Sequence, residues 1–206
     1  MVYVQKAKRD PVKFQEDFES FKVGEHLRLG LQNAYHPPLF VMADIPGAKG
    51  KCLEFRDGPD QAQLHKPHFY CNPSHTEGTT RVAFDLRREP SYRFSHEWRD
   101  ASSPYKTGVY FFIENSAIII GGKKIAEFPP LTWVHFEITS SIGKETDGIW
   151  TLQVTPSGGP TRTFNKIVSQ KGCGTDLHCL GLKSPGNAVS KGNRRLQRFK
   201  PRALNL

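Results

Sequence analysis

The stretch Thr80–Glu114, TRVAFDLRREPSYRFSHEWRDASSPYKTGVYFFIE, constrains the fold more than any other part of the chain. It reads as three successive β-strands, and two of them carry apolar and polar side chains on alternating positions. In Arg81–Arg87, Val82, Phe84 and Leu86 oppose Arg81, Asp85 and Arg87. In Tyr92–Asp100, Tyr92, Phe94 and Trp98 oppose Arg93, Ser95, Glu97 and Arg99. A period of two with one polar face is the pattern of an antiparallel sheet packed on a core from one side. The polar face of these strands is therefore where a ligand site is expected.

The rest of the chain repeats the theme. Lys51–Asp57 and Lys66–Cys71 are short strand candidates, ended by Asp57-Gly58 and Asn72-Pro73. Ala117–Ile120 and Lys123–Phe128 flank Gly121-Gly122 and form a predicted hairpin. Trp133–Thr139 sets Val134, Phe136 and Ile138 against Trp133, His135, Glu137 and Thr139. Ile149–Thr155 sets Trp150, Leu152 and Val154 against Thr151, Gln153 and Thr155. With 15 Pro and only 2 Met in 206 residues, a helix bundle is disfavoured. The 14 Phe, 6 Tyr and 3 Trp compensate a hydrophobic content of only 37% in building a core. Many short strands between turns predict an all-β, two-sheet antiparallel sandwich.

Three segments are assigned: a mobile leader at 1–13, a β-sandwich domain at 14–182 and a basic C-terminal tail at 183–206. Beyond Gly181 come Lys183, Lys191, Arg194, Arg195, Arg198, Lys200 and Arg202 with no acidic residue, so most of the net charge of +9 lies there. Such a tail is either a solvated terminus or a contact for polyanions. No apolar run is long enough to span a membrane, and no secretory leader is visible in MVYVQKAKRDPVKF. Cys52, Cys71, Cys173 and Cys179 show no CxxC pair, and buried free thiols are expected in preference to disulfides.

FESFKVG, GKCLEF, KPHFY, RVAFDLR, HEWRD, YKTGVYFF, FPPLTWVHFEI and GIWTLQV, in that order, resemble the concanavalin A-like, laminin-G-like jelly rolls. More narrowly, they are similar to modules of that group found in large exported bacterial proteins, many of them polysaccharide-related. The resemblance spans Phe14 to Leu182. It implies two curved antiparallel sheets of the lectin/glucanase type, with ligands, when present, on the concave face or loop rim. Relatives of this fold are usually exported, and with no visible secretory leader the chain reads either as a cytosolic protein or as a piece of a larger exported one. Relatives close with an apolar strand that often carries an Asp used for calcium. Gly192–Leu206, GNRRLQRFKPRALNL, is basic and supplies no such acid, so no calcium, other metal or cofactor is expected.

On chemistry, Asp85, Glu97 and Glu137 each stand alone on their strands rather than in an ExDxxE-like run, and a cross-strand lattice with Arg81, Arg87, Arg93 or Arg99 is the preferred reading. Nucleophilic catalysis lacks a GxSxG elbow, and no Cys has an evident His partner. The Gly121–Lys124 run sits in a hairpin and does not cradle phosphate. His65, His68 and His75, in a Pro-rich loop, are expected to be solvated. Tyr105–Tyr110, YKTGVY, partly resembles the YxKxGxY-type strand of alginate lyases.

The resulting expectation is a non-catalytic carbohydrate-binding or adhesion module. Its glycan would lie on a polar face formed by Arg81, Asp85, Arg87, Glu97, Arg99, Tyr110, Trp133, His135 and Gln153. Two alternatives stay open. One is a jelly-roll polysaccharide lyase or glycoside hydrolase using Arg81, Glu97, Arg99, Tyr110 and His135. The other is a protein-interaction scaffold with a polyanion-binding tail.

Overall fold

The computed structural model describes residues 15–25, 39–57, 68–71, 73–90, 92–144, 146–170, 179–183 and 195–205. The expected leader at 1–13 lies outside them. The described residues hold thirteen strands and no helix, so no helix long and apolar enough to cross a membrane is present among them.

Seven strands make one sheet: β1 (Leu39–Met42), β2 (Cys52–Asp57), β4 (Gly78–Arg88), β9 (Val134–Ile142), β10 (Ile149–Pro156), β11 (Arg162–Val168) and β13 (Arg195–Asn205). Their order is β1-β2-β13-β4-β9-β10-β11. The other six are β3 (His68–Cys71), β5 (Phe94–Arg99), β6 (Thr107–Glu114), β7 (Ala117–Ile120), β8 (Lys123–Glu127) and β12 (Cys179–Lys183), in the order β3-β12-β5-β6-β7-β8. All the pairings are antiparallel. The two sheets pack face to face as a sandwich.

The alternation read in the sequence builds the core. Val82, Phe84 and Leu86 from β4, Phe94 and Trp98 from β5, Val134, Phe136 and Ile138 from β9, and Trp150, Leu152 and Val154 from β10 are all buried in one cluster. Phe136 lies at its centre, with ring centroids 5.2 Å from Phe84, 5.8 Å from Phe111 and 6.0 Å from Phe128. Aromatic rings from both sheets thus interlock at distances where they attract beyond simple area burial. Trp98 and Trp150 are core residues.

Three expectations need correction. First, the polar positions of Arg81–Arg87 and Tyr92–Asp100 do not share a face, because β4 and β5 belong to different sheets. The chain crosses between sheets at Glu89-Pro90, where Tyr92 N–H bonds the Glu89 carbonyl at 3.1 Å. The buried Arg88 guanidinium donates to the Glu89 and Pro90 carbonyls (3.1 and 2.9 Å) and to Ser116 Oγ (2.6 Å), holding the crossover. Alternation records inward and outward, but it does not record which sheet a strand joins.

Second, Arg195–Asn205 is not a tail. It runs as β13 between β2 and β4 in the middle of the larger sheet. Strand pairing is made by backbone groups, so a basic segment can enter a ladder; Pro201, which cannot donate, sits where the register with β4 shifts.

Third, His75 is buried rather than solvated, with Nδ1 3.0 Å from Thr80 Oγ1. His65 lies outside the described residues. Cys52 is buried, and Cys173 lies outside the described residues.

Candidate functional site

The outward face of the seven-stranded sheet carries the polar half of β4, β9 and β10 in rungs set by register. Asp85, His135 and Thr155 form one rung across three strands; Ala83, Glu137 and Gln153 form the next; Arg81, Thr139 and Thr151 form the third. Directly opposite residues on neighbouring antiparallel strands place their side chains in contact. Asp85 Oδ1 lies 2.8 Å from His135 Nδ1, while Arg81 makes an ion pair with Glu137 on the adjoining rung. Arg87 donates from Nε to the Leu131 carbonyl at 3.0 Å and lies 3.4 Å from Glu89.

Two loops turn one end of this face into a cleft of about 430 Å³. Gly47, Ala48 and Lys49 form one wall and Thr155–Gly159 the other, with Asp85, Trp133 and His135 between them. Trp133 ties both walls together. Its indole N–H donates to the Pro46 carbonyl at 3.0 Å, and its own carbonyl accepts from Ser157 N–H at 2.8 Å. The first wall packs closely on the indole at Gly47. A Cβ there would stand 3.1 Å from Trp133 Cδ1, and φ is +76°, a region that disfavours side chains.

Asp85 is nearly buried, with 11% of its side chain exposed, whereas His135 is 29% exposed. The acid is thus held in the floor and the imidazole faces the opening. An Asp at Nδ1 orients a histidine ring and leaves Nε2 for a ligand or a proton, the arrangement used by general acids and bases. Among the described residues no group of three or more His, Cys, Asp or Glu is arranged to hold a metal ion.

Arg81, Asp85, Arg87, His135 and Gln153 therefore belong to one sheet and Trp133 directly precedes its strand β9, with Asp85, Trp133 and His135 lining the cleft. Glu97, Arg99 and Tyr110 lie on the far face of the six-stranded sheet, on the other side of the core. There Arg99 ion-pairs with Glu97 and lies 3.8 Å above the Tyr105 ring. Burial pushes the Glu97 carboxyl above its ordinary range, opposed by the Arg99 charge and hydrogen bond. Burial also raises the Tyr110 phenol, with Arg93 opposing and Glu97 adding to the shift. The Glu97–Arg99 pair lies within β5, whereas Arg81–Glu137 is a charge pair across strands, between β4 and β9; Asp85 contacts the His135 ring. The five residues grouped as a lyase or hydrolase set are split between opposite faces and do not form one active site.

Sequence reading missed Lys49, Thr155, Ser157 and Gly158. Lys49 sits in a Pro/Gly-rich loop with no periodic signal. Ser157 and Gly158 sit in a turn, PSGG, whose only visible feature was its position after a strand.

No family model matches this chain, and no curated protein matches it. Solved structures do. A marine PL-14 alginate lyase from Aplysia kurodai superposes with a TM-score of 0.55 at 10% identity, covering 83% of this chain and 91% of the lyase. An endo-β-1,4-glucuronan lyase from the fungus Trichoderma reesei gives 0.54 at 10% identity, covering 90% and 94%. The alginate lyase Aly36B gives 0.51 at 9% identity, covering 95% and 97%. At these identities the likeness shows the fold alone: the chain is an all-β jelly-roll sandwich.

Proposed function

We propose that the outward face of the seven-stranded sheet binds a polysaccharide chain, with the Trp133–His135 cleft as its centre. The observation that carries this reading is the cleft itself, where an indole, the Asp85–His135 pair and the hydroxyls of Thr155 and Ser157 converge. Saccharide recognition requires this combination: an aromatic surface against sugar C–H groups and a few fixed polar groups for hydroxyls. The concanavalin A-like resemblance implies such a face, and the three solved lyases named above act on polysaccharides by their names. A net charge of +9 favours an acidic polymer over a neutral one. Gln153, Glu137 and Arg81 extend the same face beyond the cleft.

The test is retention on a panel of neutral and uronic-acid polysaccharides. His135→Ala is expected to weaken retention at least about tenfold, equivalent to about 1.4 kcal/mol. Arg99→Ala, on the opposite sheet, is expected to leave retention unchanged. Equal loss in both variants, or loss in Arg99→Ala alone, contradicts the assignment of the binding face.

A further inference from the structure

The cleft holds more than a binding surface needs. We infer that Ser157, His135 and Asp85 form a nucleophile–base–acid set that hydrolyses O-acyl esters. Three observations converge on it. Asp85 Oδ1 contacts His135 at Nδ1, 2.8 Å away, and this is the nitrogen a carboxylate must hold if Nε2 is to take a proton from a nucleophile. Ser157 lines the same cleft, is exposed, and its hydroxyl is committed to no hydrogen bond among the described residues. Thr155, the other wall hydroxyl, is engaged with Thr161 Oγ1 at 2.8 Å.

Register positions the nucleophile relative to the base. Thr155 is the direct partner of His135, and the bond from Ser157 N–H to the Trp133 carbonyl fixes Ser157 one rung further along. Ser157 is thus the diagonal neighbour of His135. Such neighbours are separated by roughly 7–8 Å between backbones, within reach for an aromatic-sized side chain. A contact not yet formed in the unliganded protein is usual for a catalytic pair that tightens around its substrate. Gly158 follows the nucleophile, at a φ of +75°. Its N–H donates to no described group and is available to a developing oxyanion.

The reaction balances with water as the only co-reactant. Ser157 Oγ attacks the ester carbonyl carbon while its proton passes to His135 Nε2. The carbonyl–oxygen bond to the alcohol breaks, and the alcohol leaves with that proton. Water then attacks the acyl-serine, delivering a proton through His135, and a carboxylic acid departs as the Ser157 hydroxyl is restored. Asp85 holds the ring and stabilises the transient imidazolium. Acylated sugar hydroxyls are the substrate class that joins this chemistry to the polysaccharide-binding reading, and that choice of substrate rests on it. The hydrolytic step itself does not.

The test uses the full chain with p-nitrophenyl acetate, a small ester that needs no polysaccharide contact, and with a fluorophosphonate probe located by peptide mass mapping. The expected result is ester hydrolysis above the buffer rate, abolished in Ser157→Ala and reduced about 10²-fold or more in Asp85→Asn. The probe should label Ser157, and His135→Gln should prevent labelling. Ser157→Ala should keep an unchanged circular dichroism spectrum, and Arg99→Ala, on the opposite sheet, should keep full hydrolysis. Hydrolysis that survives in Ser157→Ala, or no turnover and no labelling of Ser157 in the folded wild-type protein, overturns the proposal. Retention measured on the same samples reports separately on the binding reading.

Discussion

Phe136→Ala is expected to destabilise the protein by about 3–5 kcal/mol, the range for deleting a fully buried phenylalanine. The ring is 0% exposed and touches aromatic rings from both sheets: Phe84 from its own sheet, Phe111 from the other, and Phe128 edge-on from the segment that follows β8. Removing it takes away apolar burial and leaves a cavity that two hydrogen-bonded sheets cannot readily close. A smaller residue elsewhere would not relieve this, because the neighbouring rings are themselves held by strand registers. Denaturant titration should show a lower midpoint with an unchanged slope. Val168→Ala, at a side chain 76% exposed on an edge strand, should shift stability by no more than about 0.5 kcal/mol. A loss below about 1 kcal/mol for Phe136→Ala would mean that the two sheets do not interlock through this residue.

Acid sensitivity should be the second large effect, and His96 is its main source. The ring is 1% exposed, packed 5.3 Å from Phe84 and 5.5 Å from Phe111. Its Nε2 accepts from the Trp98 indole N–H at 2.8 Å, so Nδ1 carries the proton of the neutral ring. A second proton would have to enter at the nitrogen facing the indole N–H and would place a charge among aromatic rings. Burial accordingly lowers the His96 pKa to about 3 from 6.5.

The sign follows from proton binding. Between pH 6.5 and about 3 the unfolded chain binds a proton at this position that the folded protein refuses, so stability falls as pH falls. The slope from this one group reaches about 1.4 kcal/mol per pH unit. Above pH 6.5 it contributes no pH dependence, and below pH 3 it adds no further loss. Glu97 acts in the opposite direction, since its raised pKa makes the folded state hold a proton more readily than the unfolded chain. His96→Gln retains an acceptor for Trp98 and removes the titration. Its stability, measured by denaturant unfolding from pH 7 to pH 4, should fall much less steeply than that of the wild type. Parallel pH profiles for the two proteins would contradict the assignment.

Most of the architecture was legible in the chain because inward and outward positions are written as a period of two. Val82/Phe84/Leu86, Val134/Phe136/Ile138 and Trp150/Leu152/Val154 went to the core as read. The candidate site was legible only in part. Asp85 and His135 were identified singly, on strands 50 residues apart in sequence, and nothing local to either predicts that register would make them partners. Glu97 and Arg99 had the same alternation as Arg81 and Asp85, yet the Glu89-Pro90 crossover sends them to the opposite sheet. β13 was hidden for a different reason. A strand in mid-sheet is expected to be apolar, and RLQRFKPRALN is basic and interrupted by proline. Its place depends on backbone pairing to β2 and β4. That placement also means that deleting Gly192–Leu206 removes a central strand and does not isolate a binding arm.

The central claim is that a polysaccharide lies on the outward face of the seven-stranded sheet. The most direct test is amide hydrogen exchange with and without a saturating short oligouronate. Slowed exchange is expected in residues 45–50 and 156–159, the two cleft walls that Trp133 joins, with no change across Glu97–Tyr110 on the other sheet. Protection centred on Glu97–Tyr110, or none anywhere in a protein retained by the polymer, would contradict it.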